Sequence, residues 1–395
     1  LYCIFFIKMI VMKLLKISIE GLPHFKNNLE IDFVARQRVA EDDREQLSYI
    51  FSNIYTTPAL SFIGINASGK TTILKAISFA IDLLNNRPLN HIPSKGIFDD
   101  MDCGQQVCFS ACFYHHGIVY KLQTVIGKKE NPMDGSTNLV ILDETLWSKE
   151  SSRIKTKKSL YQFEDSNLRA GRDKNAEYLM DDVSIIVALN KKQDTNFFLY
   201  DTSEFTDYNM LNVLGKYPKE MLTFLDPSIE YLFCQPNEKK VDIKLKFYGR
   251  DTIHLNSPLE LNKYLSSGTI KGLSVFMGAV FAFTAGGYLL VDELENHFNK
   301  EIVSTLIRFF MDKKINKKGA TLIFSTHYSE LLDEFDRNDE IYIIRNRGGI
   351  TAENLSDILK RNDIKKSEIY DSDFLKGTVP AYESYIALKK VLVSL

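Results

Sequence analysis

One stretch limits this chain more than any other: Gly64-Ile65-Asn66-Ala67-Ser68-Gly69-Lys70-Thr71, which fits the pattern G-x-x-x-x-G-K-[ST]. Its flanks fit as well. Ala59–Ile63 reads as a short buried strand, and residues 72–81 carry apolar side chains at helical spacing. A strand, a glycine loop and a helix start aim backbone N–H groups and the positive end of a helix dipole at one point, which suits a phosphate. Gly64 and Gly69 permit unusual dihedrals and close approach of the backbone. In such a loop Lys70 reaches the β- and γ-phosphates and the Thr71 hydroxyl ligates Mg²⁺, while Asn66, Ala67, Ser68 and Thr72 complete the cradle. The stretch points to a nucleoside triphosphate.

A nucleotide site also needs a carboxylate at the end of a neighbouring strand. The run Gly287–Val291 is apolar and ends in Asp292 and Glu293. Asp292 is expected to hold the Mg²⁺ shell, and Glu293 to orient or deprotonate the attacking water. Upstream, Leu265-Ser266-Ser267-Gly268-Thr269 precedes an apolar helix over residues 270–283, so Ser266, Ser267 and Gly268 open a second helix N-terminus suited to an anion. Downstream, Thr321–Thr326 reads as a strand that delivers His327.

The rest of the chain is less specific. Alternation over residues 13–19, 29–33, 107–114 and 241–247 predicts strands, and residues 209–224 read as largely helical. Leu1–Val11 is apolar but interrupted by Lys8 and too short to span a bilayer; we read it as an extension upstream of a start at Met9 or Met12. Cys108, Cys112, His115 and His116 invite zinc, but the spacing is not C-x-x-C and we reject it. Five unevenly spaced cysteines suit a reducing cytoplasm, and no membrane association is expected. Residues 148–175 are charged, with Lys155, Lys157, Lys158, Arg169 and Arg172. They read as a solvated excursion, or as a basic surface for nucleic acid or a partner. The net charge of -2 gives no global signal for nucleic acid. No sustained heptads predict coiled-coil arms.

Phosphate loop, serine-glycine helix start, acidic strand and histidine occur in an order that resembles the ATP-binding-cassette (ABC) ATPases. More narrowly, residues 289–296 (LLVDELEN), 323–327 (IFSTH) and 373–380 (DFLKGTVP) are similar to the AAA-type, ABC-like ATPases of abortive-infection and phage-defence loci. The resemblance runs from Met12 onward and is loosest over residues 131–207. It implies an α/β fold: an ABC-type P-loop NTPase with an N-terminal antiparallel β subdomain and an inserted, partly helical lobe. The expected divisions are 12–130 and 241–350 for the two halves of the head, 131–240 for the lobe and 351–395 for a helical tail. It also implies ATP and Mg²⁺ as ligands, with Lys70, Glu293 and His327 catalytic. Ser266 and Gly268 would cap the nucleotide of a second copy, in a homodimer or higher oligomer. No effector is visible, so a separately encoded one is implied. Relatives commonly carry His-Pro where this chain has Asn299-Lys300, and the Mg²⁺-sensing glutamine is not identifiable, with Gln106 and Gln123 as candidates. A repair or chromosome-associated ATPase that binds DNA directly is the alternative, and a transporter subunit a remoter one.

Overall fold

The computed structural model describes residues 12–130, 135–173, 179–193, 196–203, 211, 215–237, 240–296, 298–379 and 382–394. The proposed extension over residues 1–11 lies outside them. The fold is mixed α/β with several sheets. The central sheet has the order β10 (Leu199–Asp201), β15 (Tyr288–Val291), β16 (Thr321–Thr326), β5 (Ala59–Ile63), β17 (Ile341–Asn346) and β18 (Ile350–Asn354). All neighbours in it are parallel except β17 and β18. A second, antiparallel sheet runs β2 (Leu29–Asp32), β1 (Lys13–Glu20), β6 (Gln106–His115), β7 (Ile118–Glu130), β8 (Thr137–Glu150) and β9 (Leu168–Gly171). A third holds β11 (Gly215–Lys216), β12 (Ile229–Asn237), β13 (Lys240–Phe247) and β14 (Ile253–Leu255); β3 (Ser48–Phe51) and β4 (Ile54–Thr56) form a hairpin. The helices are α1 (Lys70–Leu84), α2 (Lys157–Leu160), α3 (Ile186–Gln193), α4 (Lys219–Leu225), α5 (Ser267–Ala285), α6 (Lys300–Met311), α7 (Leu355–Ile358), α8 (Lys366–Asp371) and α9 (Tyr382–Val393).

The central strands read as unbroken apolar runs because both of their faces are covered. Parity divides them. Leu60, Phe62, Tyr288, Leu290, Ile323, Tyr342 and Ile344 join the core shared with α1 and the second sheet. Their neighbours Ile63, Leu289, Val291, Leu322, Phe324, Ile341 and Ile343 join a core with α5 and α6 on the opposite face. Helix α1 is wedged between two sheets, which is why apolar residues surround it nearly all the way round rather than along one stripe. Helix α6 covers one face only, and buries Val303, Leu306, Ile307, Phe310 and Met311 at helical spacing. Asn299 caps it by accepting from Glu301 N–H at 3.0 Å.

Helix α5 is, among the described residues, the one helix long and apolar enough to cross a membrane. Here its apolar surface is divided between the central sheet, through Val275, Phe276, Ala279 and Ala282, and the third sheet, through Ile270, Leu273 and Met277. Gly286 ends it in the left-handed region (φ 71°).

The expected divisions fall inside sheets. Glu130 pairs with Thr137 in the second sheet, residue 240 opens β13, and residue 350 opens β18, so hydrogen-bonded ladders run across all three positions. Helix was expected over residues 209–224; the described part holds β11 and then α4, which starts only at Lys219. Two polar clamps lock the layers together. Lys13 Nζ donates to Gly286 O (2.7 Å), Lys318 O (2.9 Å) and Gly319 O (2.6 Å), tying β1 to the starts of β15 and β16. Arg337, 1% exposed, pairs with Asp339 and Asp43, each at 2.6 Å, and so pins the segment before β17 to the chain around residue 43.

Candidate functional site

The glycine loop, Asp292, Glu293 and His327 come from the carboxyl ends of parallel strands, where α/β sheets leave crevices for ligands. β5 ends at Ile63 and feeds the glycine loop, β15 ends at Val291 and feeds Asp292 and Glu293, and β16 ends at Thr326 and feeds His327. These strands are adjacent in the order β15, β16, β5. Residues separated by more than two hundred positions therefore share one end of the sheet.

The loop is tightly built. Ala67 (φ 60°) and Gly69 (φ 101°) both take left-handed backbone. A Cβ on Gly64 would lie 2.5 Å from both Ile344 O and Ser68 Oγ; one on Gly69 would meet the Ile350 side chain at 2.6 Å. No side chain caps α1, so its first N–H groups stay available to an anion. The buried Ser68 hydroxyl likewise has no partner among the described residues. Lys70 Nζ folds back onto the loop and donates to Gly64 O (2.9 Å) and Ile65 O (3.2 Å). Burial lowers its pKa, against which Glu295, Glu293 and Asp292 favour the charged form.

Thr71 Oγ1 donates to Asp292 Oδ2 at 2.7 Å, which links the two halves of the expected metal site directly. The other carboxylate oxygen of Asp292 accepts from the buried Ser325 hydroxyl, and that same hydroxyl accepts from Glu293 N–H at 2.8 Å. Glu293 itself has φ 47°, a conformation L-residues adopt at a cost, and its carbonyl accepts from Lys271 Nζ of α5 at 3.3 Å. Glu295, 4% exposed, accepts from His327 N–H at 2.7 Å and has its Oε1 3.3 Å from His327 Nδ1. Glu295 thus fixes where the imidazole stands.

Asn66, Ala67, Ser68, Gly69, Lys70, Thr71, Thr72, Glu293 and His327 line one cleft of about 920 Å³. Among the described residues no group of three or more His, Cys, Asp or Glu is placed to hold a metal. A cation at Thr71 and Asp292 would therefore take its remaining ligands from phosphate oxygens and water, the usual habit of Mg²⁺. The residues present fit a magnesium-bound polyphosphate.

Ser266, Ser267 and Gly268 do not join this cleft. Ser266 Oγ caps its own helix, accepting from Thr269 N–H at 3.0 Å. Neither glutamine lines the cleft: Gln123 donates to Cys108 Sγ at 3.3 Å on the second sheet, and Gln106 is exposed at the start of β6. Several lining residues had no signal in the sequence. His24, in left-handed conformation (φ 65°), and Asn346, Gly349 and Ile350 close the cleft's side. They meet there because Ile350 N donates to His24 O at 2.6 Å and Lys26 N to Ile350 O at 3.0 Å. Ser325 and Glu295 were visible only as members of runs noted for other residues. Another cleft of about 960 Å³, beside Lys75, Asp82, Arg87 and Asp201, holds none of the expected site residues.

Comparison with protein families finds no model that matches the chain, and comparison with curated proteins finds no match.

Proposed function

We propose that this chain is an ABC-type P-loop ATPase that acts as a switch. It binds ATP with Mg²⁺, pairs with a second copy in the ATP-bound state, and separates after hydrolysis. The observation that carries the reading is the 2.7 Å bond from Thr71 to Asp292 beside a cleft that Lys70, Glu293 and His327 also line. Magnesium, when bound, would draw charge from the phosphate oxygens. The loop N–H groups and Lys70 would hold the phosphates, and Glu293 would take a proton from the attacking water. Glu295 keeps His327 oriented toward the same cleft. Ser266 and Gly268 stand outside the cleft of their own chain, as residues that complete a partner's site would. ATP that binds the pair in preference to the single chain favours pairing by mass action.

The biological setting follows from the resemblance carried by residues 289–296, 323–327 and 373–380: a cytoplasmic regulator in bacterial antiphage defence that controls a separately encoded effector. Purified chain that cuts DNA or RNA by itself would overturn the separate effector. The pairing is tested by the solution mass of Glu293→Gln, measured by light scattering with and without ATP and Mg²⁺. The mass should double with ATP, and Ser266→Arg should abolish the change. A mass indifferent to ATP contradicts the switch.

A further inference from the structure

At the opposite end of the central sheet, two adjoining clefts collect positive charge. One, of about 390 Å³, is lined by Lys13, Lys313, Lys317 and Lys318 with Ser48, Tyr49 and Asn316. The other, of about 340 Å³, is lined by Arg38, Arg44 and Lys157 with Asn53 and Tyr55. They are joined twice. Lys313 Nζ donates to Arg44 O, and the rings of Tyr49 and Tyr55, cross-strand partners in the β3–β4 hairpin, meet edge-on at 5.5 Å. Among the described residues no carboxylate lines either cleft, in a chain with 51 acidic and 49 basic residues.

These basic groups are positioned by backbone carbonyls rather than by carboxylates. Lys13 is held by three backbone carbonyls, Lys157 by those of Ala35, Arg36 and Gln37, and Lys318 by that of Thr284. A carbonyl orients an ammonium group without cancelling its charge. Burial lowers the Lys13 pKa to about 7 and that of Lys157 below its usual value, so the positive potential rests chiefly on Arg38, Arg44, Lys313, Lys317 and Lys318; none of the seven basic groups makes an ion pair among the described residues. The carboxylates nearest Lys157, Asp43 and Asp339, are engaged by Arg337. Glu41, Asp42 and Glu45 are exposed on the turn that carries Arg44 and line neither cleft. Two clefts of one sign, each walled by low-dielectric protein, focus potential toward a polyanion. Between them lies an aromatic platform on which Tyr49 is 60% exposed.

We propose that this surface binds single-stranded nucleic acid, with the cations tracking phosphates and Tyr49 and Tyr55 stacking bases. Spaced cations with aromatic faces between them are what a single strand needs, because its bases are free to stack. A duplex offers no such faces, because its bases are already stacked on one another. The site lies at the amino ends of β5, β15 and β16, whereas the glycine loop, Glu293 and His327 lie at their carboxyl ends. Strands of four to six residues separate the two. The proposal is therefore independent of the nucleotide reading.

The test is fluorescence anisotropy with labelled dT and rU oligomers of about 20 nucleotides, a duplex of equal length, and anionic phosphatidylserine vesicles as competitor. The wild-type chain should bind single strands, in preference to duplex, with strong salt dependence. Lys313→Ala/Lys317→Ala/Lys318→Ala should weaken binding about tenfold near 100 mM salt and lower the log–log salt slope by about 2, at roughly 0.7 per lost contact. Tyr49→Ala should weaken binding with the slope unchanged. Lys389→Ala/Lys390→Ala on α9 removes exposed charge elsewhere and should change nothing, and thermal melts check that each variant folds. Absence of binding, equal loss in the α9 variant, tighter binding of duplex, or displacement by vesicles each overturns the proposal.

Discussion

Ser325→Ala separates structure from chemistry at the site. Ser325 is fully buried, and its one hydroxyl donates to the Asp292 carboxylate while accepting from Glu293 N–H. Alanine deletes a charge-assisted bond, worth about 1.5–3 kcal/mol net, and strands an amide whose desolvation costs about 1–3 kcal/mol. The two overlap, so a loss of about 2–4 kcal/mol is expected. At about 2.1 cal/mol/K per residue, 395 residues have an unfolding entropy near 0.8 kcal/mol/K, which converts that loss to a Tm decrease of about 2–5 °C if the chain melts as one unit. The amide released is that of Glu293, which already sits at φ 47°, so its carboxylate loses its aim. Misplacement of that kind costs about 100-fold in turnover. The Lys70 loop is untouched, so ATP affinity should stay within about threefold. Calorimetry and steady-state hydrolysis read the two arms. An unchanged Tm refutes the hydroxyl bridge, and a lowered Tm with normal turnover refutes the positioning of Glu293.

Other expectations follow from single residues. Glu340 is wholly buried, neither of its carboxyl oxygens has a partner among the described residues, and desolvation, helped by Asp339, raises its pKa well above the usual value. A raised folded pKa contributes stability that is complete below about 4.5 and is lost as pH rises toward the folded value. Glu340→Gln should thus gain on the wild type as pH rises, by up to about 1.4 kcal/mol per pH unit; melts across pH 5–8 with a constant difference contradict this. Gly69→Ala places a Cβ against Ile350 at φ 101° and should lower both Tm and ATP affinity, checked by melting and calorimetric titration. Lys13→Met removes three carbonyl bonds between β1 and the starts of β15 and β16, and should speed proteolysis in β1; unchanged digestion speaks against the clamp.

What the sequence made legible was local. A glycine loop between strand and helix, and two acids at the end of an apolar run, are patterns of neighbouring residues, and the structure brings Lys70, Thr71, Asp292, Glu293 and His327 to one end of the central sheet. Residues that act by crossing between segments were silent. Ser325 is one more small residue in a buried strand until Asp292 is placed beside it. Nor does anything near His24 announce that Ile350 will pair with it. The seven basic residues of the clefts come from four stretches of chain: Lys313, Lys317 and Lys318 share the lysine-rich run 313–318, but nothing local joins that run to Lys13, to Arg38 and Arg44, or to Lys157; of the basic residues over 148–175, only Lys157 joins, while Arg172 turns inward near Glu144. Hairpins were the other loss. The division expected at residue 131 followed a charged stretch over 148–175 and a loose resemblance over 131–207, yet β8 completes a ladder begun in β7, and register is invisible to composition.

Single-turnover hydrolysis of ATP with enzyme in excess, comparing wild type with Glu293→Gln in the presence of Mg²⁺, tests whether this cleft hydrolyses ATP through Glu293. Both proteins should bind ATP with similar affinity, and Glu293→Gln should turn it over about 100- to 1000-fold more slowly. A wild-type chain that binds no ATP, or equal turnover in the two proteins, would contradict hydrolysis through Glu293.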